Sequence, residues 1–302
     1  MDDIKYNVDI HYSLLGAVKY TITKDGYLVF NNTFTIDDDI KFLLNKYKKL
    51  YLTSYTIDVL SKLHTEHFIL FYHLESLILD SINLNQFITI ECFPVNLKYL
   101  QIISLNSDKL TYLNILNNLP HGLEVLNINC NAFNQELDNL PPTLEKLILK
   151  SDKFNSLLNY LPPTLKVLYI SSLKFNQELN NLPTTLQALY MDCNNCSKEL
   201  TFPSQLEILS LQTKHDINYN NLPTRLKVLQ INEHYAADAY KLYKTNNPNV
   251  ACSFTNNMPH CNFIFTTGKF TRTRYNVKEC LTEIGVQLRR IIYLAITYFT
   301  GG

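Results

Sequence analysis

The chain has 302 residues, and its 27 basic and 27 acidic side chains cancel, which argues against nucleic acid as the main partner because such binding needs a basic face. Seven cysteines, an odd number scattered at positions 92, 130, 193, 196, 252, 261 and 280, suit a reduced intracellular compartment rather than a disulfide framework. The opening Met1-Asp2-Asp3-Ile4-Lys5 lacks the basic-then-apolar order of a secretory signal, and no stretch reaches the roughly 18 apolar residues of a membrane span.

In chain order, Val18 to Thr23 and Tyr27 to Phe30 read as two strands joined at Lys24-Asp25-Gly26, where Asp-Gly favours a tight hairpin turn. Asp37 to Tyr47 follows as a short helix with acidic residues in its first turn. Residues 1–46 are therefore expected to form an N-terminal cap. From residue 47 to residue 231 the pattern L-x-x-L-x-L recurs, with Ile or Met sometimes standing for the last Leu. Its rungs start at Tyr47, Leu74, Leu97, Leu123, Leu144, Leu165, Leu186, Leu206 and Leu226, spaced by 20 to 27 residues. A repeat of that length and pattern is the signature of a leucine-rich-repeat solenoid, in which one turn cannot bury its apolar face and neighbours stack into a continuous core.

Beyond the ladder, at 235–302, a C-terminal cap is expected. Tyr235 to Tyr243 has helical character, and Val250 to Phe254 and Asn262 to Thr266 look like strands. Asn276 to Phe299 reads as an amphipathic helix, with Ile284, Leu288, Ile291, Ile292, Ala295 and Phe299 at helical spacing. The rival reading of that helix is peripheral membrane contact or protein binding, encouraged by Lys269, Arg272, Arg274, Lys278, Arg289 and Arg290 nearby.

Three columns keep step with the ladder. Seven residues after each start lies a small residue, Ser54, Ser81, Ser104, Cys130, Ser151, Ser172, Cys193 or Thr213, and only Glu233 breaks the column. Leu-Pro or Phe-Pro precedes most starts, as at Leu119-Pro120, Leu140-Pro141 and Phe202-Pro203, and proline suits an extended entry to a strand rather than its interior. The third column is Phe-Asn, at Phe133-Asn134, Phe154-Asn155 and Phe175-Asn176. The run from Phe175 through Gln177, Glu178, Leu179, Asn180, Asn181, Leu182 and Pro183 to Leu186 resembles the FNIP repeat, a short leucine-rich-repeat variant known mainly from social amoebae and the giant viruses of amoebae. Its best copies cover 119–201, with degenerate ones out to about 47 and 232. The resemblance implies a repeat scaffold and supplies no active site.

A unit of 20 or 21 residues leaves too little chain for a full helix on the return, so extended or 3₁₀ segments are expected there, with Phe133, Phe154 and Phe175 filling the space of a helix. In each rung the Leu and Ile side chains turn inward and the alternate residues outward. The outward columns supply the candidate partner-binding residues Tyr99, Gln101, Asn127, Asn129, Lys146, Lys150, Tyr169, Tyr190, Asp192, Ser210, Gln212 and Gln230. Tyrosines give broad rigid contact and amides adaptable hydrogen bonds, which suits a protein or peptide. The column just after each start, Glu75, Lys98, Glu124, Glu145, Lys166, Gln187, Glu207 and Lys227, reads as a solvated edge.

Catalytic and metal motifs are weak. Cys193-Asn194-Asn195-Cys196 is a C-x-x-C, but Cys193 falls in the small-residue column and Cys196 in the slot of Phe175, so the repeat accounts for both. His64-Thr65-Glu66-His67 lacks the order of a helical zinc protease, and Cys252 with His260-Cys261 has an unusual ligand spacing. No catalytic residue, cofactor or metal is expected. The leading function is a non-enzymatic scaffold that holds a protein partner on the strand face. The alternative is the substrate-recognition subunit of a ubiquitin ligase, since FNIP-like proteins can carry an F-box, although residues 1–46 show none.

Overall fold

In a computed structural model, which describes residues 13–15, 18–30, 38–53, 72–80, 93–104, 115–193, 196, 200–212, 222–232, 250–255 and 262–265, each of the nine rungs carries a strand. These are β4 (Lys49–Leu52), β5 (Ser76–Asp80), β6 (Tyr99–Ser104), β7 (Val125–Cys130), β8 (Lys146–Lys150), β9 (Val167–Ser171), β10 (Ala188–Asp192), β11 (Ile208–Gln212) and β12 (Val228–Asn232). Each begins two residues after its rung start, and consecutive strands pair in parallel with the ladder in register. Leu126 lies beside Leu147, Leu147 beside Leu168, Leu168 beside Leu189 and Leu189 beside Leu209. Strict alternation then sends Leu126, Ile128, Leu147, Leu149, Leu168, Ile170, Leu189 and Met191 into one buried stack. The protein is thus a strand-rich leucine-rich-repeat solenoid, with little helix among the described residues.

The hairpin forms where Asp-Gly predicts it: β2 (Val18–Ile22) pairs antiparallel with β3 (Leu28–Phe30), and Gly26 sits at φ 83° in the turn. A positive φ there is the reason that the turn takes glycine. An unforeseen strand, β1 (Ser13–Leu15), pairs antiparallel with β2. More consequentially, β3 pairs parallel with β4, so the hairpin extends the repeat sheet. At the other end β13 (Ala251–Thr255) continues the parallel run from β12, and β14 (Asn262–Phe265) turns back antiparallel. All fourteen strands form one sheet in chain order, and the parallel run from β3 to β13 exceeds the nine expected rungs. Joining a parallel edge requires only a free ladder of backbone groups and an alternating segment, and β3 and β13 meet that condition without the full leucine pattern. Helix α1 (Asp38–Lys46) carries Asp38 and Asp39 in its first turn and buries Ile40, Leu43 and Leu44 against the core. Tyr235 to Tyr243, Asn276 to Phe299 and the His64 to His67 segment lie outside the described residues.

Between strands the repeat columns acquire physical reasons. Phe133, Phe154 and Phe175 are fully buried and stacked face to face, with ring centroids 6.0 and 5.9 Å apart, so they fill the return side as anticipated. Proline does something other than open an extended strand entry. In each of the seven Leu-Pro or Phe-Pro pairs, the Pro carbonyl accepts the N–H of the residue three ahead, the rung-start Leu, at 3.0–3.3 Å, as in Leu123 to Pro120, Leu165 to Pro162 and Leu226 to Pro223. Pro-x-x-Leu is therefore a tight turn that aims the chain into the rung, and the missing proline N–H is not needed at its first position. Threonine in that turn adds a pin: Thr164 Oγ1 donates to the Pro142 and Leu144 carbonyls at 2.6 and 2.9 Å, and Thr185 Oγ1 repeats this on Pro163 and Leu165 at 2.6 and 3.0 Å.

The small column is also a donor column. Ser151 Oγ donates to the Phe133 carbonyl and Ser172 Oγ to the Phe154 carbonyl, both at 2.7 Å, while Cys130 and Cys193 aim their thiols at carbonyls of the preceding turn. A small residue with a polar hydrogen fits the crowded corner and satisfies a buried acceptor. Asparagine forms a further ladder, in which Asn134 Oδ1 accepts the Asn155 N–H at 2.7 Å and Asn155 Oδ1 the Asn176 N–H at 2.8 Å.

Candidate interaction surface

Alternation places the twelve candidate residues on the side of the sheet opposite the leucine stack. Their exposure differs from the expectation of an open surface. Asn127, Lys146 and Ser210 are buried, at 5, 8 and 7% exposed, and the other nine are half-buried. Several aliphatic outward side chains close as well, with Ile148, Val167, Ala188 and Ile208 all buried. Parallel strands stand only about 4.8 Å apart, so a long side chain on one strand covers shorter ones on its neighbours. The predicted face is a packed, shallow relief rather than a row of free side chains.

Its centre is aromatic. Tyr169 and Tyr190 sit side by side on β9 and β10, ring centroids 6.4 Å apart, with the Lys150 ammonium 5.7 Å from the Tyr169 ring centre. Burial pushes both phenols up to about 12, and Asp192 adds to the shift at Tyr169. Both rings therefore remain neutral hydrogen-bonding groups at physiological pH. Ser171 Oγ donates to Asp192 Oδ2 at 3.3 Å, and Ser210 Oγ donates to Gln230 Oε1 at 3.0 Å. Tyr99 donates to Gln101 at 2.7 Å, which ties two more candidates together.

Toward the amino terminus the same face contains residues that the sequence reading passed over. Tyr27 is within 2.6 Å of Ser76 Oγ, Lys49 lies over the Tyr27 ring, and Tyr51 donates to Asp80. No periodic signal marks Tyr27 as part of this surface. It arrives because β3 joins the ladder in parallel register.

Oppositely charged neighbours along the edge column, extended to Lys48 in the first rung, form ion pairs: Lys48 with Glu75, Lys98 with Glu124, Lys166 with Glu145 and Lys227 with Glu207, at 2.6–3.0 Å. Hydrogen bonding to Lys48 holds the Glu75 carboxyl below its usual value, and Glu124 raises Lys98. These are solvated pairs of small energetic weight.

Cys193 and Cys196 are both buried, and Cys196 N–H donates to the Cys193 carbonyl at 3.4 Å, the same turn that Phe154 makes with Ser151. Desolvation drives the Cys130 and Cys193 thiols up to about 12, so neither is a thiolate nucleophile near neutral pH. Among the described residues no group of three or more His, Cys, Asp or Glu side chains could hold a metal ion, and no helix is long and apolar enough to cross a membrane.

No protein-family model and no curated protein matches the chain. It is similar to a solved structure described as a novel circular leucine-rich-repeat protein, CroV588, with 20% identity and a TM-score of 0.41. That likeness covers 72% of this chain and 38% of the other, so this chain spans well under half of that protein's length. Assignment to the leucine-rich-repeat solenoids rests instead on the parallel register and the buried ladder seen in the chain itself.

Proposed function

We propose that the protein is a non-enzymatic, intracellular scaffold of FNIP-like repeats, in which turns 47–234 present the strand face to a protein partner and residues 1–46 and 235–302 close the two ends. The observation that carries this reading is the Tyr169–Tyr190 pair with Lys150 beside it. Half-buried tyrosines held by their neighbours lose little conformational freedom on binding and offer both an apolar ring and a hydroxyl, the combination enriched at interaction hot spots. The remaining candidates on this face, from Tyr99 to Gln230, extend the same polar and aromatic relief.

The test is a pull-down from native cells with the parent and the Tyr169→Ala/Tyr190→Ala double variant, after both are shown to melt cooperatively. Each anchor is expected to contribute more than about 1 kcal/mol, so a partner retained by the parent should be lost or strongly depleted. An unchanged partner set would move the binding site away from the strand face, with Asn276 to Phe299 the next region to examine. Recovery of cullin-adaptor components would favour the ligase-receptor alternative. Among the described residues of 1–46, strands β1 to β3 and helix α1 give that alternative little support, since an F-box is a helical bundle.

A further inference from the structure

Among the described residues, one buried side-chain polar atom on the strand face has no hydrogen-bond partner. Asn127 Oδ1 is buried and meets no hydrogen-bond donor, although it lies on the outward side of β7. Such an acceptor costs free energy unless a donor reaches it. Register places two lysines around it: Lys146 lies beside Val125, and Lys150 beside Asn129, so both are diagonal neighbours of Asn127 across the β7–β8 pair. Gln101 flanks Asn127 from β6. Lys146 is only 8% exposed, and burial lowers its pKa to about 8. An anion arriving beside a desolvated ammonium relieves that penalty.

The distribution of charge selects the kind of anion. Along the outermost outward column the sequence from β5 to β10 runs Asp80, Ile103, Asn129, Lys150, Ser171, Asp192, so carboxylates stand two rungs to one side of Lys150 and three to the other. A nucleic acid, with a phosphate at every step, would be repelled at both ends of this row. A peptide can place an acidic side chain at β8 alone and supply a backbone N–H at β7. We propose that the strand face across β6 to β8 receives an extended acidic segment of a protein partner, with one or two carboxylates at Lys146 and Lys150 and a backbone N–H donated to Asn127 Oδ1. This specification rests on the strand-face reading above and names the chemistry of its partner.

The experiment is calorimetric titration of the full chain with a capped heptapeptide, Gly-Ser-Glu-Val-Glu-Ser-Gly, its Gln-for-Glu counterpart, and a twelve-residue oligothymidylate. Saturable binding of the Glu peptide, at least tenfold tighter than the Gln peptide or the oligonucleotide, is expected. Lys150→Gln should weaken it about tenfold, and Lys227→Gln on the solvated edge should leave it unchanged. Asn127→Leu gives a readout that a purely structural asparagine would not: it should raise the melting temperature, by removing an unsatisfied buried acceptor, while weakening the Glu peptide. The proposal is overturned if the parent does not bind the Glu peptide, if the oligonucleotide binds as well or better, or if Lys150→Gln and Asn127→Leu bind like the parent. None of those outcomes touches the wider reading, which stands or falls on the Tyr169/Tyr190 pull-down.

Discussion

The turns from Leu123 to Gln212 and the rungs from Tyr47 to Ser104 reach the same strand register by different means. In the first region the spacing is a constant 20 or 21 residues, and successive corners share the same kinds of pin: threonine on two carbonyls at Thr143, Thr164 and Thr185, serine or cysteine on the preceding turn, asparagine on asparagine from Asn134 to Asn176 and phenylalanine on phenylalanine from Phe133 to Phe175. In the second the spacing is longer and uneven, and the cross-turn contacts among the described residues are individual. His73 reaches the Leu44 carbonyl, Asn96 the Tyr72 carbonyl, and Tyr51 reaches Asp80. Both regions nonetheless pair leucine with leucine along the sheet. The buried ladder sets the register, and the side-chain pins only reinforce it. A repeated pin is available where a constant spacing returns the same residue to the same corner.

That ranking can be broken by mutation. Leu168→Asp places an unpaired charge in the stack shared by both regions and should cost more than about 4 kcal/mol, enough to abolish a cooperative thermal transition. A variant that melts like the parent would overturn the register. Phe154→Ala, which removes the middle ring of the aromatic stack, should cost about 3–5 kcal/mol in denaturant unfolding. If it cost less than 1 kcal/mol, the return side would not be a packed core.

Lys146 sharpens the contrast between the two faces of the sheet. Its folded pKa lies below the unfolded value of 10.5, so the stability cost of its charge is full below about pH 8 and disappears as pH rises toward 10.5. Lys146→Met should therefore stabilise the protein by about 1–3 kcal/mol at pH 7, with the advantage over the parent shrinking between pH 8 and 10.5. Measuring the difference between the two proteins cancels the opposite loss that Tyr169 and Tyr190 bring above pH 10. A constant difference across that range would show that the ammonium is not desolvated.

The smallest effects belong to the corner pins. Ser172→Ala should cost about 1 kcal/mol because the Phe154 carbonyl loses its donor, whereas Cys193→Ser keeps a small donor and should fold normally. Lys166→Ala, which removes a solvated pair with Glu145, should change stability by less than about 1 kcal/mol. Equal losses in all three variants would put the edge on a par with the corners.

The sequence by itself determined the solenoid, because a period of 20 to 27 residues with leucines at alternate positions has one way to bury them: stacking in parallel. It also placed the hairpin turn at Asp25-Gly26, the phenylalanine filling and the structural role of Cys193 and Cys196. The threonine pins and the asparagine ladder were less legible, since each joins residues about twenty apart whose pairing depends on the three-dimensional pitch of a turn. The candidate surface was legible only as a parity. Alternation fixes which residues leave the core, but the exposure of Asn127, Lys146 and Ser210 depends on what stands on the strands at either side. The parallel docking of β3 and β13, which brings Tyr27 to Ser76 and lengthens the sheet beyond the leucine ladder, was likewise decided by tertiary structure. An open strand edge accepts any alternating segment that reaches it, and reach is a property of the folded chain.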